Sequence, residues 1–108
     1  MDRKDETARH VVAYEGDRPV GTARLRNPDP GVAKIERVAV RDAYRGRGVG
    51  TALMDAIEAG ARDDGLDRAV LHAQTRVEDF YAALGYERTS DDVFDDAGIP
   101  HVEMAKDL

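Results

Sequence analysis

Three glycines alternate with other residues in the segment Arg45-Gly46-Arg47-Gly48-Val49-Gly50-Thr51, and a helical pattern of apolar residues begins directly after them. Glycine tolerates the positive φ angles of tight turns, and it lets a ligand approach the backbone closely. The first N–H groups of a helix have no partner within the helix, and they carry a partial positive charge. Together with the two arginines, these donors predict a binding site for a ligand that carries phosphate groups.

Two well-known phosphate-binding motifs fit this turn poorly. A P-loop needs a lysine directly before its serine or threonine, but Gly50 precedes Thr51. A dinucleotide-binding turn reads Gly-x-Gly-x-x-Gly and needs an acidic residue on the next strand, whereas that strand ends here in His72-Ala73-Gln74. An ordinary glycine-rich turn before a helix remains the alternative.

The chain before the turn has the pattern of three strands. Two apolar segments, Ala8–Tyr14 and Pro19–Arg26, flank the short turn Glu15–Arg18, which predicts an antiparallel hairpin. Asn27–Gly31 has the composition of a loop, and Val32–Val40 is apolar enough for a third strand.

After the turn the apolar period becomes helical. Leu53 and Ile57 follow Val49 at intervals of four residues, which predicts a helix that runs to about Asp64. The short apolar segment Arg68–Ala73 predicts a buried strand. A strand, a helix and a strand in this order imply a right-handed crossover and parallel pairing of the two strands.

The last third of the chain predicts a second helix and two strands. Thr75 and Glu78 form a capping box, which places the helix start at Thr75. Tyr86–Phe94 and His101–Ala105 are then expected as strands around a turn. The resulting order, ββ-β-α-β-α-ββ, predicts an α/β domain with a mixed sheet, and we expect residues 1–108 to form one domain.

Composition excludes several classes of function. The net charge of −6 argues against a nucleic-acid partner, and the chain has no apolar run long enough to cross a membrane. The absence of cysteine rules out a cysteine nucleophile, and no metal-binding cluster is evident, so we expect no metal. The polar N-terminus has no apolar signal region, which favours a cytoplasmic protein.

The acidic residues are mostly aspartate, and the basic residues are mostly arginine. A lysine-poor, aspartate-rich surface suits a high-salt cytosol, where salt screens repulsion between like charges. We therefore expect a halophile-like acidic surface, although a GC-rich genome would favour arginine over lysine as well.

Two separated motifs resemble the GNAT superfamily of N-acetyltransferases. Arg45-x-x-Gly48-x-Gly50 is similar to the family's acetyl-CoA motif, and Phe80-Tyr81-Ala82-Ala83-Leu84-Gly85-Tyr86 is similar to its Phe-Tyr-x-x-x-Gly-Phe helix. Lys34–Val38, Ala73-Gln74 and Gly98–Met104 resemble the ElaA-like branch. The resemblance covers roughly residues 8 to 106. It implies a mixed, mostly antiparallel sheet with helices packed on it and strands that separate at the cofactor site.

The resemblance also exposes one departure. Family members normally have an extra strand and one or two helices before the hairpin, and these help to form the acceptor pocket. This chain begins almost at the hairpin, so either it is a minimal variant or a second subunit supplies the acceptor wall. An uncovered sheet edge would favour pairing, which predicts a homodimer.

The resemblance implies that acetyl-CoA is the co-substrate. Its pyrophosphate would bind the amides from Gly46 to Thr51, with added charge from Arg45 and Arg47. The backbone of Val38, Ala39 and Val40 would bind pantetheine like an added strand, and one N–H there would stabilise the oxyanion. The acetyl group would pass directly to a primary amine, in a small molecule or a peptide.

Two side chains are candidates for catalysis. Tyr81 matches the family's tyrosine and would protonate the leaving thiolate, but it also lies on an apolar stripe with Phe80 and Leu84, where a core role suffices. Glu36 is a candidate base because it is acidic within an apolar strand. The alternatives are an ion pair with Arg37 or an outward-facing side chain.

Arg37, Gln74 and His101 belong to the segments that resemble the ElaA-like branch, so we expect them to line the acceptor pocket. The sequence thus predicts an acetyl-CoA-dependent N-acyltransferase. The alternative is a non-catalytic acyl-CoA-binding or regulatory module.

Overall fold

The computed structural model describes residues 9–108. The strands in chain order are β1 (Arg9–Glu15), β2 (Arg18–Asp29), β3 (Val32–Val40), β4 (Arg68–Gln74), β5 (Glu87–Arg88), β6 (Phe94–Asp96) and β7 (Ile99–Asp107). The helices are α1 (Val49–Asp63), between β3 and β4, and α2 (Glu78–Ala83), between β4 and β5. None of the helices in these residues is long and apolar enough to cross a membrane.

All seven strands form one sheet in the order β1-β2-β3-β4-β7-β5, and β6 also pairs with β7. Among the strands of residues 9–108, β3 and β4 alone pair in parallel, because α1 connects them as a crossover. The mixed, mostly antiparallel sheet, the first hairpin and the parallel pairing predicted from the sequence are therefore confirmed.

The parallel pairing of β3 and β4 is short. It begins at Val32 and Arg68 and ends at Ile35 and Leu71. Just beyond this point, the register of β3 against β2 shifts by one residue, and Arg37 has a φ angle of 57°. This bulge bends β3, and the two strands continue without pairing to each other.

Both helices pack against one face of the sheet. Met54 and Ile57 of α1 and Tyr81 of α2 belong to one buried cluster with Leu71 and Met104 from the sheet. Because side chains alternate along a strand, the residues between the buried ones point to the other face. In β2 and β3 these residues are charged: Arg24, Arg26, Lys34 and Glu36.

Some boundaries differ from the sequence prediction. The predicted helix start at Thr75 is wrong: Thr75–Val77 forms a 3₁₀ turn, and α2 begins at Glu78. The Glu78 carboxylate accepts hydrogen bonds from Arg88 at 3.0 and 2.8 Å, so it does not close a capping box with Thr75.

The predicted long strand Tyr86–Phe94 is also wrong, because two short strands, β5 and β6, occupy this part of the chain. The turn before β7 consists only of Ala97 and Gly98, whose φ angles of 53° and 77° fit a two-residue hairpin turn. The predicted loop Asn27–Gly31 is shorter as well, since β2 continues to Asp29.

Strand β1 lies at one end of the strand order, and it exposes Val12 (42%) and Tyr14 (62%). The homodimer expected from the sequence stays a prediction. The first residue of the predicted strand Ala8–Tyr14 lies outside the described residues.

Candidate active site

A cavity of about 1160 Å³ lies where β3 and β4 separate. Its walls come from the second half of β3, the glycine turn, the end of β4, α2 and the β6–β7 hairpin. Most of the predicted site residues line it: Glu36, Arg37, Val38, Ala39, Val40, Arg45, Gly46, Gly48, Gly50, Thr51, Gln74, Tyr81 and His101. Arg47 and Val49, which were predicted with them, do not.

The glycine turn is held open by backbone conformation. Gly46 and Gly48 have φ angles of 75° and 81°, where a side chain would strain the backbone. A Cβ atom at either position would meet nothing within 4 Å, so the space beside the turn is free. The first amide of α1 with a partner in the helix is that of Ala52, which donates to the Gly48 carbonyl at 3.0 Å. The preceding amides, of Val49, Gly50 and Thr51, are therefore available to an anion, as a diphosphate-binding turn requires.

The two arginines of the turn behave differently. Arg45 lines the cavity, with Nη1 3.3 Å from Asp42 Oδ1 and a side chain that is 60% exposed. The Arg47 guanidinium instead lies 5.0 Å from the centre of the Tyr44 ring and 3.9 Å from Glu15 Oε2. The Arg47 side chain thus contacts Tyr44 and Glu15 and does not line the cavity.

Gly50 connects the turn to α2 by close packing. A Cβ atom at Gly50 would lie 3.2 Å from Phe80 Cζ, so a larger residue would displace that ring. Phe80 in turn packs edge-to-face on Tyr81, with ring centres 5.0 Å apart. The third glycine thus serves packing rather than a special φ angle, and it brings the aromatic pair to the start of α1.

Tyr81 is buried, yet it lines the cavity. Burial raises its pKa above the ordinary value of 10.0, so the phenol keeps its proton at neutral pH. Among residues 9–108 no hydrogen-bond partner holds its hydroxyl. The hydroxyl is therefore a free proton donor at the cavity wall.

Glu36 faces two arginines of the neighbouring strand. Its carboxylate accepts a hydrogen bond from Arg26 Nε, and Arg24 Nη2 lies at 3.3 Å. Burial alone would raise the pKa of Glu36, but the Arg26 hydrogen bond and the charges of Arg26, Arg24 and Lys34 outweigh it and lower the pKa. Glu36 therefore stays ionised, and its ion-pair partners are not the Arg37 considered from the sequence.

The β4–β7 side of the cavity is formed by hydrogen-bonded side chains. His101 is buried, with Nδ1 2.8 Å from the Ile99 carbonyl and its ring stacked on Phe94. Gln74 Oε1 accepts a hydrogen bond from Arg76 Nε at 2.9 Å. Both side chains are thus fixed in orientation.

Sequence reasoning missed several residues of the wall. Lys34, His72, Arg76 and Asp96 also line the cavity. A signal existed for His72, because alternation along β4 places it on the same face as Gln74. Within residues 9–108 no group of three or more potential ligands is arranged for a metal ion.

The fold and this cavity define an acyl-CoA N-acyltransferase type of protein, and comparison with known families agrees. The sequence profile of the Acetyltransferase (GNAT) domain family matches residues 1–108. The chain therefore belongs to the GNAT acetyltransferase family, and its class of enzyme is N-acetyltransferase.

Two relatives show where the chain lies within the family. It is 42% identical over 107 residues to the uncharacterized N-acetyltransferase YjcF of Bacillus subtilis, covering 99% of this chain and 76% of YjcF. It is 32% identical over 103 residues to the ElaA protein of Escherichia coli, covering 93% of this chain and 67% of ElaA. The resemblance to the ElaA-like branch is thereby confirmed.

Solved structures agree with the sequence relatives. The crystal structure of Escherichia coli ElaA superposes with a TM-score of 0.81 at 30% identity, over 92% of this chain and 68% of ElaA. An aminoglycoside 6′-N-acetyltransferase complexed with coenzyme A superposes with a TM-score of 0.83, over 94% of this chain and 73% of the enzyme. Because this second match is only 18% identical in sequence, it shows similarity of fold alone.

Proposed function

We propose that residues 1–108 form an acetyl-CoA-dependent N-acetyltransferase domain that transfers acetyl groups directly to a primary amine. One observation carries the proposal: the open glycine turn, the gap between β3 and β4, and the Tyr81 hydroxyl all meet in one cavity. The turn suits a diphosphate, the gap suits an extended chain, and the hydroxyl suits a leaving group that needs a proton. Acetyl-CoA combines these three features.

Binding would depend mainly on the backbone. The amides at the start of α1 are free to donate to the pyrophosphate, and the Arg45 guanidinium beside them adds charge. Val38, Ala39 and Val40 face the gap beyond the last β3–β4 pair at Ile35 and Leu71. Their backbone groups can therefore bind the pantetheine amides as an added strand would, and an N–H among them can polarise the acetyl carbonyl.

When bound, acetyl-CoA supplies a thioester that an amine can attack without a covalent enzyme intermediate. Tyr81 is placed to donate a hydrogen bond to the sulfur as negative charge develops there. An ordinary thiol has a pKa of about 8.5 and a phenol about 10, so full proton transfer from Tyr81 is uphill by at least ~2 kcal/mol. Tyr81 therefore acts mainly as a hydrogen-bond donor, and solvent completes the protonation.

Glu36 is the candidate base, but it can accept a proton only weakly. A carboxylate with a lowered pKa accepts protons weakly, so Glu36 would act through water and would help only moderately. We infer that the amine loses most of its proton to solvent. The rate should accordingly rise with pH until the free amine predominates.

The test is acetyl transfer by the purified protein. Acetyl-CoA is mixed with a panel of primary amines, and released coenzyme A is measured with a thiol reagent against a control without amine. Amine-dependent release of coenzyme A, with the acetylated amine identified by mass spectrometry, is expected. Tight binding of acetyl-CoA without release for any amine would instead favour the alternative, a non-catalytic acyl-CoA-binding or regulatory module.

A further inference from the structure

The cavity wall has the opposite charge balance from the rest of the chain. The whole chain carries a net charge of −6. The charged residues of the wall are four cations and two anions: Lys34, Arg37, Arg45, Arg76, Glu36 and Asp96. Such an inversion of sign concentrates a negatively charged ligand at the site.

Among residues 9–108, two of these six charges have ion-pair partners, and Arg76 donates only to the neutral Gln74 side chain. Two arginines of β2 neutralise Glu36, and Asp42 pairs with Arg45. Lys34 and Arg37 form no ion pair with any residue from 9 to 108. They are the cations of β3 that remain available to a ligand.

Lys34 lies far from the glycine turn. Its neighbours Ala33 and Ile35 are buried in the core, so the Lys34 side chain projects from the face opposite the helices. Val40 is the sixth residue after Lys34, and a strand rises about 3.3 Å per residue, which puts Lys34 about 20 Å from the turn. That distance is too large for Lys34 to belong to the diphosphate site.

Arg37 lies between Lys34 and the glycine turn, just after the point where β3 and β4 stop pairing. Its φ angle of 57° is one that residues other than glycine and asparagine rarely adopt. Strained backbone at the wall of a cavity points to a functional demand on the residue. The bulge presents the Arg37 side chain at the opening between the separated strands.

From this arrangement we propose that the acceptor is a zwitterion: a primary amine that also carries a carboxylate or phosphate group, which Lys34 and Arg37 bind. Asp96 lines the same cavity and pairs with no cation among residues 9–108, so it can attract the ammonium end of such an acceptor. Cations on β3 and an anion on β6 fix the orientation of the molecule. The inference rests on the proposed function and names the class of its acceptor.

The experiment compares matched acceptors in the acetyl-transfer assay. O-Phosphoethanolamine and β-alanine carry an anionic group; their respective controls, ethanolamine and propylamine, carry the same primary amine on a short chain without an anionic group. We expect kcat/KM to be at least tenfold higher for the anionic members of the two pairs. The ratio of kcat/KM between the anionic and the neutral acceptor is calculated for each pair, and the pair with the larger ratio shows whether phosphate or carboxylate is preferred.

Variants assign the effect to the two residues. Lys34→Ala and Arg37→Asn should raise KM for the anionic acceptors about tenfold, leaving the neutral acceptors and KM for acetyl-CoA nearly unchanged. Asparagine tolerates the left-handed conformation, so the second variant keeps the bulge. Arg37→Lys should restore part of the loss, and Arg18→Ala, which removes an exposed arginine outside the cavity, should behave like the unmodified protein.

Two outcomes would overturn the inference. Equal kcat/KM values for anionic and neutral acceptors would show that no anion site exists. A rise in KM for acetyl-CoA instead of the acceptor would show that Lys34 and Arg37 bind the cofactor. If no amine at all is acetylated, the proposed function itself is wrong. That result differs from acetylation of anionic and neutral amines at equal rates, which would refute only the inference about the acceptor.

Discussion

Replacing Tyr86 with phenylalanine removes one hydrogen bond from a buried carboxylate and keeps the ring. The Tyr86 hydroxyl donates to Glu58 Oε2 at 2.8 Å, and the other carboxylate oxygen accepts from Lys106 Nζ at 2.8 Å. Glu58 is only 3% exposed, so water cannot replace the lost donor. A hydrogen bond to a charged group contributes about 1.5–3 kcal/mol. In a domain of this size each kcal/mol shifts Tm by roughly 4–8 °C, so we expect a fall on the order of 10 °C.

The assay is thermal unfolding followed by circular dichroism, with Arg62→Ala as the matched control. Arg62 also pairs with Glu58, but at 3.8 Å and with 51% of its side chain exposed. Such a pair contributes about 0–1 kcal/mol, so this control should unfold close to the unmodified protein. If Tyr86→Phe unfolds at the same temperature as Arg62→Ala, the hydroxyl does not stabilise the buried carboxylate, and the reasoning is refuted.

Three further results are expected. Tyr81→Phe removes a hydrogen-bond donor from the developing thiolate, so it should lower kcat by about 10²-fold with little change in acetyl-CoA affinity, and unchanged kcat would exclude the hydroxyl from catalysis. The pKa of Glu36 is lowered from 4.5, so its contribution to stability is present above that value and disappears as the pH falls through the folded-state pKa. Glu36→Gln should therefore destabilise the fold more in urea titrations at pH 7 than at pH 3; equal losses of stability at the two pH values would contradict this. If the acidic surface is adapted to salt, Tm should rise with added KCl, whereas a constant Tm would dismiss that adaptation.

The sequence was sufficient to predict elements whose apolar residues recur at a regular spacing. Leu53 and Ile57 mark the buried face of α1 by helical spacing, and both are buried. The glycine turn was predictable because Gly46 and Gly48 occupy positions that need positive φ. These features depend on residues close together in the sequence, so they can be predicted from the sequence directly.

Contacts between distant segments were not predictable in the same way. Glu58 shares the buried face of α1 with Met54 and Ala61, and a carboxylate on an apolar stripe was a usable signal. Its partners Tyr86 and Lys106, however, lie 28 and 48 residues further along the chain. Only the folded sheet brings them to the helix.

The bulge and the side-chain orientations depend on tertiary packing. Arg37 adopts a left-handed conformation without the glycine or asparagine that would indicate it, so the register shift has no sequence signal. Whether Arg47 points to a phosphate or to Tyr44 is likewise a choice between rotamers of one long side chain. Residue type alone does not decide between them.

Calorimetric titration of coenzyme A into the purified protein tests the central claim most directly, namely that the amides of the glycine turn bind a diphosphate. We expect one molecule bound per chain, a much weaker signal with pantetheine, which has no pyrophosphate, and a large loss of affinity in Gly48→Val. That variant forces a β-branched side chain onto a φ angle of 81° at the start of α1, and circular dichroism would verify that it still folds. No heat from coenzyme A, or equal affinity for coenzyme A and pantetheine, would contradict the account.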